Sequence, residues 1–129
     1  MSSFRLAQMR FASFGLLLYL SPLLVHAENW PMWRGPRGDG RSMDVGFPKS
    51  VEGGPVWRTE LPGEGHASPI VWEDRLFTVA SIAEENARVL FCLNRETGAI
   101  LSKTVVLQSP PEFVHKLNSR ASSTPATDG

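Results

Sequence analysis

Two histidines are the side chains best suited to acid–base or metal chemistry in this sequence. His66 lies between Gly65 and Ala67, and His115 precedes Lys116. Each could serve as a ligand or proton carrier, or could be a loop histidine that bonds to the backbone. No third ligand stands at the spacing of a metal site. We therefore expect loop histidines, and we predict neither a metal site nor a catalytic residue here.

Three arginines, Arg34, Arg37 and Arg41, form a small basic cluster with glycines between them. Such a cluster could hold a carboxylate or a phosphate. The segment GPRGDG within it lacks the spacing and the strand–helix context of a phosphate-binding loop. We predict instead a solvated loop in which Asp39 and Asp44 are the partners of the arginines.

Hydroxyl and thiol groups offer little nucleophilic chemistry. No G-x-S-x-G elbow surrounds any of the four serines considered, which are Ser68, Ser119, Ser122 and Ser123. The chain has one cysteine, Cys92, which cannot form an internal disulfide. It lies in the apolar run VLFCL and is predicted to be a small buried hydrophobe.

The overall charge excludes some classes of partner. The 129 residues include 13 basic and 13 acidic side chains, so the formal net charge is zero. A polybasic arm or an acidic tail is absent from this composition, and we predict no nucleic-acid partner. The length permits one domain or a piece of a larger one.

The first 27 residues have the pattern of a secretory signal peptide. Two arginines and no acid precede an apolar run of 15 residues, FASFGLLLYLSPLLV, which is short of the ~20 that a membrane-spanning helix needs. Small residues at Val25 and Ala27 then form an A-x-A-like exit, so cleavage between Ala27 and Glu28 is predicted. An uncleaved anchor is the alternative, and Pro22 disfavours it. We expect export to a bacterial periplasm or extracellular space, with no stable membrane span afterwards.

The segment 28–55 is predicted to be irregular, because it is rich in Gly, Pro and Arg and shows no strand or helix period. Its aromatic residues Trp30, Trp33 and Phe47 are expected to pin it onto a neighbouring surface.

Short β-like runs follow, and no window predicts an amphipathic helix. Turns are predicted at Glu73–Asp74 and at 94–98, where Gly98 can adopt a positive φ. The run at 88–93 is almost wholly apolar, so we expect it to be buried on both faces. The spacing indicates an all-β sandwich, barrel or propeller. The five predicted strands are 56–60, 67–72, 75–81, 88–93 and 99–107.

A weak internal repeat favours the propeller. The segment ASPIV at 67–71 is echoed by STPAT at 123–127, so Pro69 corresponds to Pro125 with an offset of 56 residues. In both, a hydroxyl residue precedes proline and a turn signal follows. The offset exceeds the ~40–50 residues of common propeller repeats, as an inserted connection would produce.

The stretch LFCLNRETG resembles the repeat of pyrroloquinoline-quinone-type β-propellers. Leu93, Thr97 and Gly98 match that repeat, whereas Asn94 replaces its usual acid. Ser102 stands where the family has the tryptophan that wedges adjacent blades together, so a different docking of this blade is expected. The upstream stretches NWPMWRGPRGDG and LPGEGHASP are similar to the start of secreted bacterial quinoprotein-like propellers.

The resemblance implies an all-β propeller of quinoprotein type, of which residues 56–129 would form the first one or two blades of a longer protein. We expect a non-catalytic secreted module that binds proteins or polymers in the cell envelope. The alternatives are the N-terminal part of a pyrroloquinoline-quinone-dependent dehydrogenase and a structural secreted β-domain. No cofactor is expected in this fragment, because the calcium ligands and catalytic aspartate of such enzymes cannot be placed on it. The quinone is expected only in a full-length protein.

Overall fold

The computed structural model describes residues 27–110 and 112–129. Its main feature is one antiparallel sheet of four strands in sequential order: β1 (Ile70–Trp72), β2 (Arg75–Ile82), β3 (Ala87–Asn94) and β4 (Ile100–Gln108). The only helical element in the described ranges is a single 3-10 turn, Ala83–Glu85. The predicted all-β class is therefore confirmed. The predicted signal peptide lies outside the described residues, apart from Ala27.

Local turn chemistry joins these strands. Glu73 adopts the left-handed region, with φ of 52°, in the tight turn between β1 and β2, so a turn forms there without glycine. Asn86 takes the same conformation, with φ of 51°, where the 3-10 turn enters β3. Asparagine tolerates that conformation better than most residues. The turns at 73–74 and 94–98 lie where the sequence predicts them.

β3 is the central strand and is buried on both faces, as predicted. One face carries Ala87, Val89, Phe91 and Leu93, which form the core with Ala80 and Ile82 of β2. Phe91 is completely buried. Cys92 points to the other face and is buried as a free thiol, as predicted. Because the side chains of a strand alternate between faces, this one strand needs cover on both sides.

One predicted strand is wrong. Residues 56–60 form no strand. Trp57 and Thr59 instead bond to the turn at 94–98: the indole N–H of Trp57 donates to the Arg95 carbonyl at 3.0 Å, and the Thr59 hydroxyl donates to the Gly98 carbonyl at 2.6 Å. This segment therefore packs against a turn through its side chains.

The strand predicted at 67–72 begins only at Ile70. Proline at 69 has no N–H to donate to a ladder. The amides before it are used elsewhere, since those of His66 and Ala67 both donate to the Ala121 carbonyl, at 3.0 and 3.1 Å.

The segment 28–55 contains no strand or helix, and only one of its aromatic residues anchors it. Trp30 is half-buried and exchanges two backbone hydrogen bonds with Val71, at 2.8 and 2.9 Å. Trp33 and Phe47 are 64% and 65% exposed, so the expectation that they pin the segment is wrong for both. None of the described residues forms a helix of the length and apolarity that crossing a membrane requires.

Candidate functional site

An open cleft of about 380 Å³ lies beside the outer half of the sheet, under the segment that follows β4. Its walls combine apolar side chains with two guanidinium groups and several hydroxyl groups. Val79 of β2, Arg88 of β3 and two residues of β4 form the sheet side, and Glu112 together with residues 120–125 forms the other. The lining residues are Val79, Arg88, Val106, Leu107, Glu112, Arg120, Ala121, Ser122, Ser123, Thr124 and Pro125.

Arg88 is the most deeply buried charged group of this cleft. Its side chain is 7% exposed and forms an ion pair with Glu112 at 2.8 Å, while its second terminal nitrogen donates to the Ser109 carbonyl at 3.0 Å. A buried charge is tolerated only when it is paired and hydrogen-bonded. Arg88 is therefore occupied in holding the chain after β4 against the sheet. The sequence analysis missed this role; the signal is an arginine opening an otherwise apolar strand.

Arg120 lies at the rim of the cleft and is the more accessible of the two arginines. Its Nε donates to the Glu112 carbonyl at 2.7 Å, and its terminal nitrogen lies 3.5 Å from a carboxylate oxygen of Glu64. The Arg120 side chain keeps 23% of its surface exposed, and that of Glu64 keeps 62%. An ion pair this exposed is weak, so the guanidinium of Arg120 can exchange Glu64 for another anion.

Two of the four serines considered, Ser119 and Ser122, lie in contact, and their hydroxyl groups bond mainly to the backbone. The Ser119 hydroxyl oxygen accepts the His66 amide at 3.0 Å and the Ala121 amide at 3.3 Å, and lies 3.3 Å from the Ser122 hydroxyl. The Ser122 hydroxyl donates to the Ser119 carbonyl at 3.0 Å. His66 thus meets Ser119 through its backbone, and this geometry activates no nucleophile. Ser123 lies on the cleft wall.

His115 is an exposed loop histidine that bonds to the backbone, as predicted. Its Nδ1 accepts the Leu117 amide at 3.3 Å, inside a turn closed by a hydrogen bond from Asn118 to the His115 carbonyl. Among the described residues, no three His, Cys, Asp or Glu side chains converge as a metal site would require.

The arginine cluster forms a loop as predicted, with a different main partner. Arg37 pairs with Glu28 through both terminal nitrogens, at 2.5 and 3.2 Å, while Asp39 lies 3.9 Å from Arg37 Nε. No arginine of the described residues pairs with Asp44, whose carboxylate accepts the Glu28 amide through both oxygens. The expected role of Asp44 is therefore wrong, because its carboxylate bonds to the backbone at Glu28.

The bonds to Glu28 explain its acidity. The hydrogen bond from Arg37 has the largest effect, and the Met43 amide also donates to the carboxylate, at 3.0 Å. Hydrogen bonds to the charged form favour it. Together they lower the pKa of Glu28 to about 2.

The residues predicted to form a repeat motif make a compact turn at the end of β3. Asn94 Oδ1 accepts hydrogen bonds from the Glu96 amide, the Thr97 amide and the Thr97 hydroxyl, at 3.0, 2.9 and 3.0 Å. Asn94 therefore supplies the acceptor that closes this turn. Leu93, the preceding member of the motif, is buried in the core.

The indole of Trp57 covers this turn at Gly98. Gly98 has φ of 71°, and a Cβ at this position would lie within 3 Å of the Trp57 ring. Only glycine therefore allows the indole to approach the backbone. Ser102, where the resemblance would place a tryptophan, lies on exposed β4. Sequence reasoning missed Trp57, whose partner turn is 38 residues away.

No family model, no curated protein and no solved structure matches this chain.

Proposed function

We propose that this chain is part of an exported β-propeller of quinoprotein type that binds a protein or polymer in the bacterial cell envelope without catalysing a reaction. Four antiparallel strands in sequential order make the unit from which propellers are built. The observation that carries the proposal is the contact between the two similar segments. The Ser68 amide donates to Thr124 Oγ1 at 3.2 Å, across the same offset of 56 residues that relates the segments in sequence.

Equivalent positions of neighbouring blades come close because the blades are arranged around one axis. The joint around these residues fits that arrangement. The Ala121 carbonyl accepts two amides from the approach to β1, and Gly65 lies so close that a Cβ there would be 2.7 Å from the Val79 carbonyl and 3.3 Å from the Ala121 carbonyl. The residues that lead into the first similar segment, 65–67, thus pack directly against Ala121, which leads into the second.

The cleft offers a binding surface of mixed character. Val79, Val106 and Leu107 provide apolar area, while the guanidinium of Arg120 and the hydroxyls of Ser122 and Ser123 line its edge. Such a surface suits an extended peptide or a polymer that carries carboxylate and hydroxyl groups, because each of these can bond to the edge while the chain covers the apolar floor.

The test uses the full chain, including its N-terminal segment, produced in a Gram-negative host. We expect export, followed by co-sedimentation with purified cell-wall sacculi or binding to an acidic polysaccharide such as polygalacturonate. Arg120→Ala should weaken binding several-fold. Arg75→Ala is the matched control, because Arg75 is an exposed arginine on β2 whose contact is with Asp74. Retention in the cytoplasm, or equal binding by both variants, would contradict the proposal.

The same preparation distinguishes the alternatives. Saturable, micromolar binding of pyrroloquinoline quinone with calcium, followed by absorbance, would favour the dehydrogenase and overturn the non-catalytic proposal. Export with no binding to either polymer would favour the structural β-domain.

A further inference from the structure

The backbone nitrogen of Glu28 lies against a carboxylate in a way that suits an amine better than an amide. It is 3.0 Å from one carboxylate oxygen of Asp44 and 3.1 Å from the other. A peptide N–H has one hydrogen to share between these oxygens, whereas an α-ammonium group has three. The arrangement is therefore a ready ion-pair site for a chain terminus at this residue.

The side chain of Glu28 is held by the same loop. Its carboxylate accepts hydrogen bonds from Arg37, from the Ser42 hydroxyl at 3.3 Å and from the Met43 amide at 3.0 Å. Arg37 is in turn fixed by its bond to the Arg41 carbonyl at 2.7 Å. The backbone nitrogen and the side-chain carboxylate of Glu28 thus both have hydrogen-bond partners within the loop 37–44. These bonds hold residue 28 in a fixed position.

The surroundings of Ala27, the residue before Glu28, are open enough to accommodate a free chain terminus. Ala27 lines an open cleft with Met43 and Asp44, and a second one with Glu73 and Asp74. The charged groups around residue 28 are the carboxylates of Asp44, Glu28, Glu73 and Asp74 and the guanidinium groups of Arg37, Arg75 and Arg95. Arg75 lies 3.8 Å from Asp74, and Arg95 donates to the Glu73 carbonyl. The carboxylate of Asp44, by contrast, contacts the nitrogen of residue 28 directly, which favours a positive charge there.

We propose that export processing exposes Glu28 as the mature N-terminus and that its α-ammonium group forms an ion pair with Asp44, while its side chain remains bound to Arg37. This inference rests on the export that the proposed function assumes. A secretory endopeptidase hydrolyses the Ala27–Glu28 bond with one water: Ala27 gains the carboxylate oxygen, and Glu28 leaves as an amine that takes up a proton at neutral pH.

The paired terminus resists a reaction common to N-terminal glutamate. Cyclisation to pyroglutamate needs a neutral α-amine to attack the γ-carboxyl group of the same residue, with loss of one water. Here Asp44 keeps the amine protonated, and Arg37 keeps the carboxyl ionised. The exported protein should therefore retain an open, free N-terminal glutamate.

The experiment is an intact-mass and amine-titration measurement on the full chain after export from a secreting host. We expect a product that begins at Glu28 without loss of water. The pH dependence of acylation at its α-amine should give a pKa about one unit above the ordinary range of about 7.7–8.0, because a carboxylate within hydrogen-bond distance favours the ammonium form.

Asp44→Asn should return the α-amine to the ordinary range and raise its acylation at neutral pH about tenfold. Glu52→Gln is the matched control and should behave as wild type, because it also neutralises one carboxylate of the segment 28–55, and Glu52 is exposed. Should the Asp44 variant fail to fold, the wild-type titration decides alone.

The outcomes separate this inference from the proposed function. The ion pair is overturned by an exported product that begins elsewhere, or by one that begins at Glu28 with an ordinary α-amine. Neither result contradicts the proposed binding function. Absence of export overturns both.

Discussion

Individual side chains in this protein act mainly by completing backbone hydrogen bonds. Asn94 accepts three donors of the turn after β3, and the Ser119 hydroxyl accepts two backbone amides from segments far apart in sequence. Residues of these types have short polar side chains that reach nearby N–H groups. The role of these side chains is therefore structural.

The acceptor at position 94 can be tested by two substitutions. Asn94→Ala removes one acceptor from three donors in a partly exposed turn and should lower the free energy of unfolding by about 1 kcal/mol. Asn94→Asp retains the acceptor and should be within about 0.5 kcal/mol of wild type. Urea unfolding followed by circular dichroism measures both. Equal stability of the Ala and Asp variants would show that this side chain does not hold the turn.

The acidity of Glu28 predicts a pH dependence. The hydrogen bonds from Arg37 and Met43 hold its folded-state pKa at about 2, below the ordinary 4.5. A depressed carboxyl pKa stabilises the fold above the unfolded-state pKa, and that contribution is lost as pH falls toward the folded-state value. The melting temperature of wild type should therefore exceed that of Glu28→Gln at pH 6, and the difference should shrink between pH of about 4.5 and about 2.

The matched control for this comparison is Glu52→Gln, which also removes one carboxylate but at an exposed position, where no such stabilisation is expected. A gap between wild type and Glu28→Gln that stays constant from pH 6 to 2 would contradict the assignment of the low pKa to Glu28.

At the scale of the elements, local patterns predict the sheet well and its packing poorly. β2, β3 and β4 lie within one residue of their predicted ends, because apolar runs and turn residues are adjacent in sequence. The run at 56–60 has the same local composition but no strand to pair with, so it packs through Trp57 onto a turn. The ion pair between Arg88 and Glu112 spans 24 residues, and no local pattern predicts that.

The contact between Trp57 and the 94–98 turn predicts a strong glycine requirement. Gly98→Ala places a Cβ against the indole in a left-handed backbone conformation, and should lower the free energy of unfolding by about 2 kcal/mol or more. Gly53→Ala is the control, since a Cβ there has nothing within 4 Å and φ is not positive; its effect should stay within about 0.5 kcal/mol. Urea denaturation of both variants gives the comparison. Similar losses for the two would refute the proposed close approach of the indole.

At the scale of the whole molecule, three segments far apart in sequence meet on one side of the sheet. The chain entry pairs with β1 at Trp30 and Val71, and the Thr127 amide donates to the Pro31 carbonyl at 2.9 Å. Pro125, Ala126 and Thr127 cover Ile70, Phe77 and Leu90, the face of the sheet opposite the core. The second echo therefore packs beside the first. The similarity between 67–71 and 123–127 can be predicted from the sequence. The contact between these two segments cannot, because it depends on the path of the chain that connects them.

The hydrogen bonds of His66 and Ala67 with Ser119 and Ala121 lead to a further prediction. Ser119→Ala removes one of the two acceptors of the His66 amide, so that the Ala121 carbonyl is the remaining one. The residues that precede β1, His66 and Ala67, should therefore separate more readily from the segment 119–124. We expect hydrogen exchange at His66 and Ala67 to accelerate by about tenfold while β3 amides are unchanged, because local opening leaves the core intact. Ser122→Ala is the matched control, since the Ser122 hydroxyl bonds within its own segment to Ser119. Exchange that accelerates equally across β3 would mean that the two echoes do not form a separate joint but unfold with the sheet as one unit.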